Sequence, residues 1–490
     1  MTSAISPKPF NFSELTERTE EPKQLMPTIM SYLPPEDQVS LQPFLGNSFD
    51  SDLGLFTRIQ SIVDLAFHEI ASLNRAEFPF PTVLKRFNEE LDPSGKVLGD
   101  YLSVLIKLQR NPQKMIELLK KVSLAAREAI QSLDLGYSGI TDEGVTSILE
   151  LCPSLTSLNV CSTNVQGQFA TQVTHNWKKL DISHCHEFDR DVVKKILSEA
   201  SGLEELSISN ITEEDLRLFD SSKLKKLELE GLNLSEQALE KLFRRCPQLE
   251  ELTITKKSGR LEINISGEEL LALNLSKLKS LKLNLCKSLN SEVIVQVFSQ
   301  ATNLEQLDVW GSNITGEELL ALDLSKLKSL RINTKISKEM LAQILSRATN
   351  LECLDVSQTD ITGEELLALD PSKLKIFDLS FCGNLNEKAM QTFLRKATEL
   401  EDLNLSRVNV NGKELLDFDP SKLQFLNLNS CDNLDKESLK AFLTKATELK
   451  DLCIPDSYID EELLPLIRRQ CVVHGYYLKK TPYKENIQSI

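Results

Sequence analysis

The chain has 490 residues, 56 basic against 72 acidic side chains, a net charge of −16 and 41% hydrophobic residues. That balance belongs to a folded globular protein, and no run approaches the ~20 apolar residues of a membrane-spanning helix. So acidic a chain lacks the basic footprint that a phosphate backbone requires, which excludes nucleic acid as the expected partner. The opening MTSAISPKPF has no cationic stretch followed by an apolar run, so no export signal is expected. With that expectation the ten cysteines read as reduced thiols and the chain as cytoplasmic, or as delivered to a host cytosol if it comes from an intracellular bacterium.

In chain order, residues 1–22 are polar and carry Pro7, Pro9 and Pro22, the pattern of a disordered tail. Residues 23–129 are expected to form an all-α N-terminal domain. Within it, 24–45 read QLMPTIMSYLPPEDQVSLQPFL. Leu25, Ile29, Met30 and Leu33 have helical spacing, Pro34-Pro35 stops the turn, and Glu36-Asp37 opens a second short helix through Val39 and Leu41. The order Ile29-Met30, Tyr32-Leu33, Pro34-Pro35-Glu36-Asp37 resembles the front half of an F-box. Pro43, Phe44 and Gly46-Asn47 stand where that family closes with valine–cysteine and tryptophan. The resemblance implies that Ile29, Met30, Leu33 and Pro34 meet the linker subunit of a cullin-type ubiquitin ligase (SCF). From 53 to 128 the spacing of Leu55, Ile59, Ile62, Val63, Ala66 and Ile70, and of Leu98, Leu102, Leu105 and Leu108, predicts helices that cap the first edge of whatever follows.

Beyond residue 130 the chain repeats itself. GEELLALNLSKLKSL at 267–281 returns, with small changes, from Gly316, Gly363 and Gly412, at intervals of 49, 47 and 49 residues. Each long unit holds two shorter ones built on the frame L-x-x-L-x-L, whose first positions run from Ile130 through Leu304 to Leu449 and number 14. This is the leucine-rich-repeat signature. The fold class expected is α/β: a leucine-rich-repeat solenoid (a horseshoe of about 14 repeats) over 130–478, closed by a strand at Cys471–Tyr477 and followed by a polar tail, 479–490. Thr315 with Glu318, Thr362 with Glu365, and Ser266 with Glu269 have the capping-box form, predicting a helix after those strands with Leu319, Leu320 and Leu322 on its buried face. Cys185, Cys286, Cys382 and Cys431 share one frame position, which reads as a ladder of small buried groups. With Cys152-Pro153 and Cys246-Pro247 before the frame, the array resembles the cysteine-containing repeats common in F-box substrate receptors.

The fifth frame position is mostly acidic or polar, broken by Lys282 and Arg331. Large apolar groups at outward positions (Trp310, Ile376 and Phe425, with Phe381 just past its strand) define the candidate partner-binding face, bordered by Asp308, Asp355 and Asp378. An acidic border favours a basic partner segment. No nucleophile frame, phosphate-cradling glycine loop or converging metal-ligand set is present, so no enzyme activity, cofactor or metal is expected. His184-Cys185-His186 is no exception, since Cys185 belongs to the inward ladder. Three functional readings fit: an F-box-like substrate adaptor; a repeat interaction protein or secreted bacterial effector with no ligase link; and a GTPase regulator, which would need Arg331 to reach a phosphate.

Overall fold

A computed structural model describes residues 112–459 and 472–474 with Leu463 and Leu466, leaving out 173–175, 186–187, 218, 232–233, 256–264, 333–335 and 384. The tails, the F-box-like segment 24–45 and its Ile29, Met30, Leu33 and Pro34 lie outside the described residues.

Among the described residues, fifteen parallel strands form one sheet in strict sequence order, from β1 (Ser132–Asp134) to β15 (Val472–His474). β15 stands where the sequence expected the closing strand. Each strand meets its neighbours at the same frame positions, as in Leu307↔Leu330 and Leu330↔Leu354. The fourth-position leucines therefore stack into a continuous spine: Leu281, Leu307, Leu330, Leu354 and Leu403 are all within 1% of complete burial. Sixth-position residues such as Val309, Val356 and Leu405 form a parallel row behind them. At the first edge, helix Pro112–Lys121 packs on helix Asp142–Leu151 and buries Met115, Ile116 and Leu119.

The returns after the first five strands are all α-helical, and from Glu268 onward the returning segments alternate in kind. Ser291–Gln300, Lys338–Arg347, Glu387–Leu394 and Lys436–Lys445 are α-helices, capped by the side chains of Asn290, Ser337, Asn386 and Asp435. Between them, the GEELLAL units form short 3-10 turns, Glu268–Ala272, Glu317–Ala321, Glu365–Ala368 and Lys413–Leu415. This corrects one half of the capping-box reading: the glutamate reaches back as expected, but the hydroxyl does not cap and the segment is not an α-helix. The Thr315 hydroxyl donates to Glu318 Oε2 rather than accepting an amide, and the Thr315 and Gly316 amides bond the same carboxylate at 3.1 and 3.2 Å. Gly316 enters the turn at φ 103°, in the left-handed region where a side chain would also meet Ile336 and Met340. Leu319 and Leu322 are buried as expected and Leu320 partly so, but Glu318 is buried with them.

Glu318 is one of a series. Glu269, Glu365 and Glu414 occupy the same place, all buried, and each accepts the amide of the preceding turn glycine. What faces them differs: the Ser291 hydroxyl donates to Glu318 at 2.7 Å, and the Lys338 ammonium lies 3.9 Å from Glu365. Glu269 is set against Glu236 instead, and its Oε2 has no hydrogen-bond partner among the described residues. Burial, reinforced by the charges of Glu236 and Glu268, pushes its carboxyl up to about 7.

Across the sheet edge where the chain enters each strand, the second frame position alternates in charge. Lys225, Lys279, Lys328 and Lys375 each reach back to a glutamate of the preceding repeat (Glu204, Glu250, Glu305 and Glu352) at 2.7–2.9 Å. The cysteine ladder is as expected. Thiols of Cys185, Cys382 and Cys431 donate to the sixth-position carbonyls of Val160, Val356 and Leu405 in the repeat before, at 3.0–3.3 Å.

Two outcomes follow from these buried groups. Burial pushes Cys152 and Cys286 up to about 12 and Cys431 up to about 11, so at pH 8 iodoacetamide should leave these three unmodified in the folded protein and alkylate them only in denaturant, as peptide mass mapping would read. For Glu269 the folded state holds its proton more tightly than the unfolded chain, so its contribution to stability is lost as pH rises from about 4.5 to about 7. Glu269→Gln should match the wild type in urea unfolding near pH 4.5 and exceed it by on the order of 2–3 kcal/mol near pH 8.

Candidate partner-binding face

Third- and fifth-position side chains stand on the sheet face opposite the buried spine. Their geometry is set where each strand ends. In eight repeats the fifth-position Asp or Asn turns its Oδ1 back to accept the amide of the seventh residue: Asp134, Asn159, Asp181, Asp308, Asp355, Asp378, Asn404 and Asn427, at 2.7–3.0 Å. This Asx turn takes the backbone out of the ladder. The five-residue strands β4 (Glu205–Ser209), β5 (Lys226–Glu230), β6 (Glu251–Thr255) and β7 (Ser280–Asn284) are those with Ser207, Glu228, Thr253 and Lys282 in that place. Asp308, Asp355 and Asp378, read from sequence as a binding border, are thus strand terminators first.

One residue further on, every described non-glycine residue of positive φ sits at the eighth frame position, from Tyr137 through His184, Leu285 and Phe381 to Ser430, with φ between 53° and 62°. Side chains there are uncommon, because Cβ crowds the backbone. The conformation is held by the next repeat: the Leu285, Gln358, Phe381 and Arg407 amides donate to the seventh-position carbonyls of Trp310, Ser380, Ser406 and Asn429 at 2.8–2.9 Å. The side chains are thereby turned outward, and Tyr137 and Phe381 are 68% and 48% exposed. His184 in this row lies 3.1 Å from Glu230, while Cys185 beside it is buried in the ladder; among the described residues no His, Cys, Asp or Glu group is placed to hold a metal.

The expected patch divides into separate groupings. On β8 (Gln306–Asp308), β9 (Ser329–Arg331) and β10 (Cys353–Asp355), the Arg331 Nε donates to Asp355 Oδ2 at 2.6 Å and its Nη1 lies 3.6 Å from Asp308 Oδ2. The same guanidinium sits 5.3 Å from the Trp310 ring centre. Trp310 is half-buried and is covered by a cation of its own chain. Phe381 is similarly overlaid by Arg407, at 4.9 Å. On β11 (Ile376–Asp378), β12 (Asp402–Asn404), β13 (Phe425–Asn427) and β14 (Asp451–Cys453), the third-position row reads Ile376, Asp402, Phe425 and Asp451 in register. Ile376 and Phe425 therefore flank Asp402, which the sequence reading missed; tabulating the third position beside the fifth would have found it. Burial, with the charges of Asp378 and Asp451, pushes the Asp402 carboxyl up to about 6.

Known proteins carry parts of this pattern. A family model described as the leucine-rich repeats of FBD-associated F-box protein At5g56370 matches residues 165–320, and a leucine-rich-repeat model matches 130–149. The chain is a leucine-rich-repeat protein, and it resembles the F-box receptors built on such repeats. Among solved structures it is similar to Rad7 in the yeast complex of Rad7 and Elc1, with a TM-score of 0.50 and 18% identity, over 87% of this chain and 98% of that one. A chain of the TLR13–ssRNA13 complex matches with a TM-score of 0.37 and 17% identity, over 69% of this chain and 54% of that one. No curated protein matches the chain in sequence. The architecture is that of a protein-interaction scaffold.

The two duties of Asp355 are separable. Asp355→Ala removes both the Ser357 turn bond and the Arg331 partner and should cost about 1–3 kcal/mol in urea unfolding. Asp355→Asn keeps an oxygen for the turn, as Asn159, Asn404 and Asn427 do, and should lose less than half of that.

Proposed function

We propose that the protein is a non-enzymatic substrate-recognition adaptor: the F-box-like segment at 24–45 docks the linker of an SCF-type ubiquitin ligase in the cytoplasm, while the open sheet face holds a protein partner. The observation that carries this reading is that one chain joins that segment to repeats matched by the model of an F-box protein. Rad7, whose fold this chain shares, is solved in a complex with Elc1, and a repeat array of this fold that binds a second protein is consistent with the adaptor reading. Recognition on the sheet face would draw on Ile376 and Phe425, and on Trp310 and Phe381 with the arginines that overlay them. The reading as a GTPase regulator is weakened by Arg331 itself, because a phosphate would have to displace Asp308, Asp355 and the indole from its guanidinium.

Size-exclusion chromatography with a ligase linker subunit, and separately with Elc1, tests the adaptor role. The wild-type protein should co-elute with at least one of them. Changing Ile29 and Leu33 together to aspartate should weaken that association at least about tenfold, with the melting of the repeats unchanged. A wild-type protein that co-elutes with neither returns the chain to the plain repeat scaffold.

A further inference from the structure

The late third-position row holds an anion whose charge no described residue answers. Most other carboxylates on or beside the sheet face are engaged: Asp308 and Asp355 by Arg331, Asp378 by the Asn404 amide at 2.9 Å, Glu205 by Lys179, Glu228 by Lys226 and Glu230 by His184. Asp402 has no side-chain hydrogen bond and no cation within ion-pair distance among the described residues. The charged groups that face it are Asp378 on β11 and Asp451 on β14, both of its own sign. On β13, between Asp402 and Asp451, stands Phe425, and Ile376 closes the other side. At about 4.8 Å between strands, Ile376 and Phe425 frame the carboxyl roughly 10 Å apart. A half-buried carboxylate between apolar walls is costly until a cation arrives.

We infer that Ile376, Asp402 and Phe425 form a docking site for a single lysine or arginine side chain of a partner protein, its alkyl stem lying between Ile376 and Phe425 and its charged head on Asp402. The choice of occupant rests on charge complementarity and on the walls. A hydrated metal ion gains nothing from an isoleucine and a phenylalanine, and no metal-binding group is found among the described residues. A long cationic side chain buries its methylenes on both and offers its charge to the Phe425 ring as well as to Asp402. Asp378 and Asp451, the like charges near Asp402, favour a cation there and reject an acidic segment. The site names the partner chemistry for the receptor reading above and rests on that reading for its use.

The test is selection of a displayed library of random dodecapeptides on the full-length protein, followed by fluorescence anisotropy of the enriched peptides against wild type and Asp402→Asn. Enriched peptides should carry a Lys or Arg beside an apolar residue. Asp402→Asn should bind them at least about tenfold more weakly, and replacing the peptide's Lys or Arg by norleucine should cost the wild type the same factor and the variant little. Wild-type binding should weaken as pH falls from about 7.5 to about 5, as Asp402 takes up its proton, and the variant's should not. Because Asp402→Asn relieves repulsion, its melting temperature should equal or exceed that of the wild type, which separates lost binding from lost folding. Absence of enrichment, enriched peptides without a basic residue, or equal binding by the variant overturns the site. Linker co-elution alongside binding indifferent to Asp402 removes the site and leaves the adaptor; Asp402-dependent binding without linker co-elution does the reverse.

Discussion

Every strand in this array finds its backbone partners only in the strands on either side, and most strands are three residues long. So short a strand fixes its own register poorly. The register comes from the spine, because a slip of one residue would turn a fourth-position leucine onto the open face. Once the frame is held, every recurring contact repeats with it: thiol to sixth-position carbonyl, eighth-position amide to the next seventh-position carbonyl, turn glycine to buried glutamate. No repeat buries its apolar side alone, so each of these contacts is a property of the stack.

The strand exits show how the frame divides labour. The fifth position ends the strand, and an Asp or Asn is there for its oxygen's reach before its charge. The third position has no such duty. Its side chains vary from Ser280 and Gln306 to Ile376, Asp402 and Phe425, although the backbone around them hardly changes. Recognition chemistry is free to diversify there, and at the eighth position, where the left-handed backbone turns Tyr137 and Phe381 outward.

Much of the fold was legible because alternation in a strand and a recurring leucine frame are local signals. The first frame positions, the inward cysteines and the closing strand all needed only spacing. The GEELLAL units misled because Thr315 and Glu318 satisfy the capping-box pattern, while a glycine between them at positive φ tightens the chain into a 3-10 turn and carries the glutamate inward. Nothing in the spelling of Glu269 announces that Glu236, 33 residues earlier, will face it where Ser291 and Lys338 face its counterparts. The candidate face was half legible. Ile376 and Phe425 were visible as outward apolar residues, but the self-coverage of Trp310 by Arg331 and of Phe381 by Arg407 depends on lateral neighbours that a single frame does not show.

The alternating charges where the chain enters its strands bear on how such an array changes length. Each lysine from Lys225 to Lys375 answers a glutamate one repeat earlier, so the electrostatic unit is a pair of repeats. Inserting or deleting a single repeat there would set glutamate beside glutamate or lysine beside lysine, and beyond Glu268 it would also break the alternation of α-helical and 3-10 returns. Inserting or deleting two repeats disturbs neither pattern. The spacings of 49, 47 and 49 residues between the turn glycines carry that parity: the unit that can be added or removed without a mismatch is the doublet.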